Sequence, residues 1–487
     1  MPLPACKLFA VSILLSIGGA FQFGYQLLIT NPAQSAFEHF TNTSKDAGPL
    51  DKNTVKDYWG IVVALFFLGT AIGSLLIHFL SHKLGRHRAI QFSLILQAIG
   101  CILSIVSYYI SSLYVYAFGR TLLGFALSVT LGISSMYISE ISPSHCRGIV
   151  SLSSGLLLQV GILFGSIVAM PQLLGTTTSW PHLYSIELVM CLFTVIALCF
   201  FADSPITLVS RGHRDKAIEA IQGYHGISKT EAEQVVGQLI RQHEASFSVQ
   251  KVQPMKDPYN KKGAFLGIFV MFIMIMSGIA IINAYAFEIF IQTGMSPLTA
   301  SYANMAVCAM SVIGILVSGL FIERFGRRSL LLITFTLLAA INIAIYFTMY
   351  FFDKDRMLWV GICLIVSICA FNLVFAIGPG PISLFLTAEL VDDNARGTAS
   401  SYAYFVMGLV RTILLAAYPK WSSLVGSAAA YISLFLIPLV LGVIILFFNL
   451  PETKGRSFEE VKKAYGKLPG KKSKAAEEEL AELSAER

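Results

Sequence analysis

The chain has 487 residues, 55% of them hydrophobic and only 13% charged, with a mean hydropathy of +0.70. So few charges cannot clothe a water-exposed surface, which excludes an ordinary soluble globular class. The net charge of +7 is read through membrane topology, where Lys and Arg collect on one side, and not as a nucleic-acid signal.

A bilayer core of about 30 Å takes about 20 helical residues to cross. Twelve runs are long and apolar enough, so the expected class is an all-α membrane protein. The first six fall near 8–30, 58–80, 89–111, 114–139, 149–170 and 183–202. The first is expected to be retained, since no small-residue cleavage site follows a short apolar core. Residues 31–57 read as a polar loop holding the sequon Asn42-Thr43-Ser44, a candidate glycosylation site. After the second run comes the basic cluster Gly85-Arg86-His87-Arg88, and after the fourth comes Glu140 followed by Arg147.

Residues 203–262 separate the halves. Apolar residues at helical spacing in Lys216–Ile221 and Glu231–Arg241 predict short helices with charged faces. The second six runs fall near 263–292, 298–322, 329–352, 358–388, 397–419 and 428–450. Glu323, Arg327 and Arg328 follow the eighth run. Gly378-Pro379-Gly380-Pro381 interrupts the tenth and reads as a hinge, because irregular backbone in a membrane is tolerated where it lines a cavity. The tail beyond about 465 is charged and non-aromatic, and reads as solvated. The expected organisation is an N-terminal bundle over 1–202, a cytoplasmic linker over 203–262, a C-terminal bundle over 263–450 and a cytoplasmic tail over 451–487.

Twelve crossings put both termini on one side. The short segments on that side carry Lys83, Arg86, Arg88, Arg324, Arg327 and Arg328, while basic residues opposite are interleaved with Asp46, Asp51, Asp57, Asp353 and Asp355. The positive-inside bias therefore places both termini in the cytoplasm. All eight cysteines lie in spans or at one set of ends, so no disulfide framework is expected and they read as packing residues. No P-loop and no metal-ligand spacing occurs, so no metal, cofactor or ATP-driven step is expected, nor an enzyme.

The halves repeat. Glu140 and Arg147 recur as Glu389 and Arg396, and Asp203 recurs as Glu452, each 249 positions on. Parallel repeats of this kind carry a binding site at their interface. Arginines at helix ends can pair with the repeated carboxylates. Arg86, Arg88, Glu140, Arg147, Glu323, Arg327, Arg328, Glu389 and Arg396 thus form a candidate charged belt on the inner face that could latch alternating access. Plain positive-inside topology would explain the arginines alone.

These landmarks, with Gln22-Phe-Gly-Tyr25, Tyr137-Ile-Ser-Glu140, Glu323-Arg-Phe-Gly-Arg-Arg328, Gly378-Pro-Gly-Pro381 and Pro451-Glu-Thr-Lys-Gly-Arg456, give the chain a marked resemblance. It resembles the sugar porter family of the major facilitator superfamily, particularly the facilitative hexose transporters of animals. The resemblance implies two pseudo-symmetric six-helix bundles, a central solute site and rocking between outward and inward states. It also implies sugar-binding amides that are absent here. The seventh-span stretch reads Met274-Ile-Met-Ser277-Gly278-Ile279-Ala280, the fifth-span glutamine position is Gly155, and the tenth-span glutamate and tryptophan positions are Ala376 and Leu384. An eleventh-span asparagine position is Arg411. Proton-coupled members place an aspartate where this chain has Gln26, which favours uniport.

An ionisable residue within a span is a functional candidate by default. Arg411 is the leading one, either binding a solute or making a structural pair. Gln22, Gln159, Ser277, Asn283 and Ser311 are candidate neutral partners for solute, with helix-to-helix bonding as the alternative. Glu187 and Glu288 read as lying toward outer ends, reaching the interface. The expected function is facilitative transport of a small polar organic solute, hexose by family default. An organic anion recruited by Arg411, or a non-transporting sensor, is the alternative. The partners expected are the solute and the plasma-membrane bilayer, without nucleic acid; the oligomeric state is left open.

Overall fold

A computed structural model describes residues 6–46, 51–143, 147–249, 257–292, 294–354, 358–392, 395–454, 456 and 458–467. The charged tail beyond 467 lies outside the described residues. Among the described residues all regular structure is helical. That is what a chain so poor in polar side chains requires, because in hydrocarbon each backbone N–H and C=O must be satisfied within its own segment.

The first half comprises α1 (Cys6–Leu28), α3 (Lys52–Leu84), α4 (Arg86–Ile110), α5 (Leu113–Ile141), α6 (Arg147–Val168) and α7 (Pro181–Leu198). The second comprises α11 (Pro258–Ile291), α12 (Pro297–Phe325), α13 (Arg327–Lys354), α14 (Leu358–Ile377) continued by α15 (Pro379–Glu389), α16 (Arg396–Val425) and α17 (Ala428–Asn449). Eleven of these spans are long and apolar enough to cross a membrane, and in α6 the described apolar run is the shorter Ser153–Val168. At about 1.5 Å per residue the 33 residues of α3 reach about 50 Å, so its ends stand clear of the hydrocarbon.

Close helix crossings rest on small residues. A Cβ on Gly69 would meet Thr121 O at 2.0 Å, and one on Gly124 would meet Phe66 O at 1.9 Å. Any side chain there would push α3 and α5 apart. Gly161 plays the same part against Phe21 in the α1–α6 crossing. Between halves the main contacts are α3 with α16 and α6 with α12. The α3–α16 contact runs the whole helix length, from Gly60 against Pro419 to His78 against Gly397.

Part of the segment read as a polar loop is folded. There α2 (Gln34–Thr43) buries Ala36, Phe37 and Phe40 on one face. Phe37 stacks on Trp59 with centroids 4.9 Å apart and also meets Trp180 at 4.9 Å. Three apolar residues at helical spacing were enough to cap an aromatic cluster (Trp59, Tyr116, Trp180), a signal hidden by the polar residues around them. Asn42 is exposed near the end of α2.

The linker forms the two expected short helices, α9 (Arg214–His225) and α10 (Lys229–Val249), preceded by a further one, α8 (Pro205–Ser210). At the start of α10, Ser228 N donates to Glu231 Oε2 at 3.0 Å and Glu231 N to Ser228 Oγ at 3.4 Å, a capping box. Ala217, Ile218, Ile221 and Tyr224 of α9 are buried, and Tyr224 Oη donates to Ala202 O at 2.7 Å. A last amphipathic helix, α18 (Phe458–Lys467), packs Val461 inward.

Candidate functional site

Between the halves lies a partly open cavity with about 260 Å³ of space, solvent-continuous space included. Gln26, Leu27 and Thr30 line it from α1 and the turn after it, Val63 and Phe67 from α3, and Arg120 from α5. Ala280, Asn283 and Ala284 of α11 and Arg411 of α16 complete the wall. Its closed interior is small, about 10 Å³, room for one water. Sites for drug-sized ligands hold about 300–1,000 Å³, so this cavity must widen to admit a solute.

Arg411 is 6% exposed, and its guanidinium carbon lies 4.8 Å from the centre of the Phe67 ring. Among the described residues no carboxylate is within ion-pair distance of it, and its buried Nε has no hydrogen-bond partner. Arg120, 1% exposed, donates from Nη1 to Gln26 Oε1 at 2.5 Å and lies over Phe66 at 4.9 Å. Gln26 Nε2 in turn donates to Glu187. The other oxygen of Glu187 accepts from Gln97 Nε2 at 2.8 Å. Gln97 Nε2 also donates to Gln22 Oε1, which accepts from Cys191 Sγ at 3.0 Å.

This network corrects two readings of the sequence. Glu187 does not reach an interface; it is fully buried because amides from α1 and α4 satisfy both of its oxygens. Gln22 is turned into the same network and does not line the cavity. Arg120 was missed altogether, although a charge eight residues into the 29-residue α5, with an acid in another span of the same half, is the signal for a buried pair.

Asn283 and Arg411 line the cavity; Gln159, Ser277 and Ser311 do not. Ser277 Oγ donates back to Met274 O at 2.7 Å and Ser311 Oγ to Asn372 Oδ1 at 3.2 Å. Both are therefore spent on the protein itself. Gln159 is buried, with its Oε1 unpartnered.

The wall contributed by α11 depends on a break in that helix. Gly278 has φ +106° and ψ −6°, inside a π-helical turn over Ile275–Ile279. The Ser277 carbonyl freed there accepts from Asn342 Nδ2 at 2.9 Å, and Asn342 Oδ1 accepts from Tyr431 Oη at 2.8 Å. Helices α13 and α17 thus staple the bend that turns Ala280 to Ala284 into the cavity. A second break lies at Gly378 (φ −123°, ψ −77°) before Pro379, Gly380 and Pro381. It packs against Thr334, whose Oγ1 would be 2.2 Å from a Cβ there.

At the end of the bundle opposite the start of α1, polar contacts join the halves. Asn31 Nδ2 donates to Asn283 O at 2.8 Å, and Asn31 Oδ1 accepts from Phe287 N at 3.1 Å. Gln34 Nε2 bonds Glu288 at 2.7 Å and Glu38 at 2.8 Å, and Lys56 Nζ lies 2.5 Å from Glu288 Oε1. Glu288 therefore has fixed partners and does more than reach an interface. Burial chiefly, with the Glu288 carboxylate adding to it, pushes the Glu38 carboxyl above the usual range.

At the other end the repeated charges make the same motif twice. In the first half, Glu140 Oε1 accepts from Arg86 Nη2 at 2.8 Å, and Glu140 Oε2 accepts from Ser204 Oγ. Asp203 Oδ1 accepts from His87 N at 3.1 Å, in the first turn of α4. In the second half, Glu389 takes Arg327 Nη2 at 3.4 Å and Thr453 Oγ1 at 2.5 Å. Glu452 takes the backbone N of Arg327 at 2.8 Å and of Arg328 at 3.1 Å, in the first turn of α13. Each cluster belongs to one half, so these pairs brace their own bundle and do not latch one bundle to the other. Arg88 is exposed, and Arg396 Nε donates to Ala388 O at 2.9 Å. The side chains of Arg147 and Glu323 lie outside the described residues.

With this geometry in hand, comparison with known proteins is direct. A family model described as "Sugar (and other) transporter" matches residues 11–465. The human protein "Solute carrier family 2, facilitated glucose transporter member 9" is 27% identical over 477 residues, covering 95% of this chain and 86% of its own. Member 4 of the same group from Mus musculus is 28% identical over 471 residues, covering 94% and 91%. Among solved structures, the proton:xylose symporter XylE bound to 6-bromo-6-deoxy-D-glucose superposes with a TM-score of 0.76 at 21% identity, covering 94% of this chain and 99% of that one. The inward-open form of the xylose transporter XylE from E. coli gives 0.73 at 20% identity, covering 94% and 100%. The likeness establishes the fold as the twelve-helix major facilitator fold.

Proposed function

Because the chain belongs to the Sugar (and other) transporter family, we propose that it carries a small hydroxyl-bearing solute of hexose size across a bilayer by facilitated, alternating-access transport. The observation that carries this reading is the cavity between two halves, with polar groups from both halves in its wall. A hydroxyl taken from water and left unpaired costs about 1–3 kcal/mol. Thr30, Asn283, Arg120 and Arg411 offer replacement partners in a space otherwise walled by Leu27, Val63, Phe67, Ala280 and Ala284.

Access from the far end requires parting Asn31 from Asn283 and Phe287, Gln34 from Glu288, and Lys56 from Glu288. With each bond worth about 0.5–1.5 kcal/mol net, this seal holds by roughly 2–6 kcal/mol, a range that solute binding can offset. The braced charge clusters suit this motion, because rigid halves can rock as bodies. Gln26, which links Arg120 to Glu187, has no titratable proton, in keeping with uniport. The Lys/Arg distribution supports cytoplasmic termini; in a plasma-membrane carrier the exposed Asn42 would then face outside, open to glycosylation.

Uptake of labelled D-glucose and D-fructose into liposomes holding the purified chain tests the reading. Saturable uptake above protein-free liposomes is expected. No flux of any sugar-sized solute from a monodisperse, correctly inserted protein would overturn it.

A further inference from the structure

We propose that the cavity takes an anionic hydroxylated solute, a sugar-sized molecule bearing one carboxylate, with Arg411 as its counter-ion. This inference rests on the carrier reading above and narrows the solute class within it.

The charges around the cavity do not balance. Two guanidiniums, Arg120 and Arg411, stand in the wall, and no lining residue is an acid. The two arginines are not equivalent. Arg120 is held by Gln26, whose amide bonds Glu187, so its charge is offset one side chain away inside its own half. Arg411 lies in the other half with no carboxylate at ion-pair distance among the described residues. Its recorded contact is the face of Phe67. The cavity therefore keeps one uncompensated positive charge that is nine-tenths buried.

A buried charge persists when something pairs with it during the working cycle. A neutral sugar would accept hydrogen bonds from Arg411 but leave its charge uncompensated in a low-dielectric site. A carboxylate compensates it and can accept two parallel N–H bonds from the planar fork. The Phe67 ring supports the guanidinium from one side. Thr30 and Asn283 are left for hydroxyl groups on the rest of the molecule.

The proposal has an electrical consequence. A carrier that moves a monovalent anion without a coupled ion moves one net charge per cycle. Its equilibrium accumulation should therefore change about tenfold for about 60 mV of membrane potential.

The test uses the full chain in liposomes with D-glucuronate as the anionic probe and D-glucose as its neutral match, under potassium diffusion potentials of either sign. Expected are saturable glucuronate uptake, accumulation when the inside is positive, and reversal of that effect when the potential is reversed. Arg411→Gln should lower glucuronate uptake at least tenfold at low concentration with unchanged insertion and monodispersity. Arg411→Lys should keep part of the uptake and its dependence on potential. Uptake of glucose but not glucuronate would overturn the anion assignment and leave the carrier reading standing. Uptake of neither would overturn both. Full glucuronate uptake by Arg411→Gln would overturn the role of the arginine.

Discussion

Replacing Gly278 with alanine should disable the bend that builds one wall of the cavity. At φ +106° an L-residue pays about 1–2 kcal/mol for the left-handed backbone. The new Cβ would also stand 3.1 Å from Tyr431 Oη, tight enough to make that hydroxyl give way. Tyr431 Oη is bound to Asn342, which holds the Ser277 carbonyl, so weakening this chain adds about 0.5–1.5 kcal/mol. The sum, about 1.5–3.5 kcal/mol, corresponds to about a 13- to 370-fold shift away from the bent helix. A straighter α11 would withdraw Asn283 and Ala284 from the cavity, so uptake should fall together with stability. Thermal and denaturant unfolding of the purified protein, alongside uptake in liposomes, measures both. Gly237→Ala is the control: nothing lies within 4 Å of a Cβ there, and within a helix the change should be neutral or gain up to about 1 kcal/mol. Wild-type stability and flux in Gly278→Ala would refute the argument.

Three further outcomes follow from the same geometry. Glu452→Ala removes the acceptor for the first N–H groups of α13 and should cost about 0.5–2 kcal/mol, the range for a lost helix cap, read as a lower unfolding midpoint; no change would deny the brace. The Glu38 carboxyl is held above its usual range in the closed seal, so its protonated form favours closure. Closure is gained as the far-side pH falls toward the ordinary carboxylate range and lost as pH rises through the raised value. Acid on that side should therefore slow entry from it, and Glu38→Gln should flatten the dependence; an identical pH profile in the variant would contradict this. Finally, Asn42→Gln should abolish an enzyme-sensitive shift in electrophoretic mobility of the protein made in animal cells, and a wild type that never shifts would remove the sequon from the account.

Much of the fold could be read directly. Apolar run length located the spans, and α9 and α10 follow from spacing in the linker. The 249-residue repeat proved to be structural: Glu140 and Glu389 each gather an arginine and a hydroxyl, while Asp203 and Glu452 each cap the next helix. What it did not reveal is that each cluster closes on its own half, because pairing partners on different helices cannot be told from spacing. The site was read less well. Arg411 and Asn283 line the cavity, but Gln22, Ser277 and Ser311 turned inward on protein partners. A membrane helix is apolar on both faces, so periodicity does not say which polar residue faces a cavity and which a neighbour. Arg120 and Glu187 hide each other, since their burial makes sense only as a pair. The bend at Gly278 leaves no trace in composition, because glycine in a span serves packing as often as bending.

The central claim is that solute crosses by rocking two rigid halves about the cavity, opening and closing the seal at Lys56 and Glu288. The most direct measurement replaces both residues with cysteine, joins them with a short cleavable thiol crosslinker, and follows labelled-solute flux in liposomes before and after cleavage. Flux should stop in the crosslinked protein and return when the link is cut, while each single-cysteine variant stays unaffected by the reagent. Undiminished flux through fully crosslinked protein would contradict alternating access at this seal.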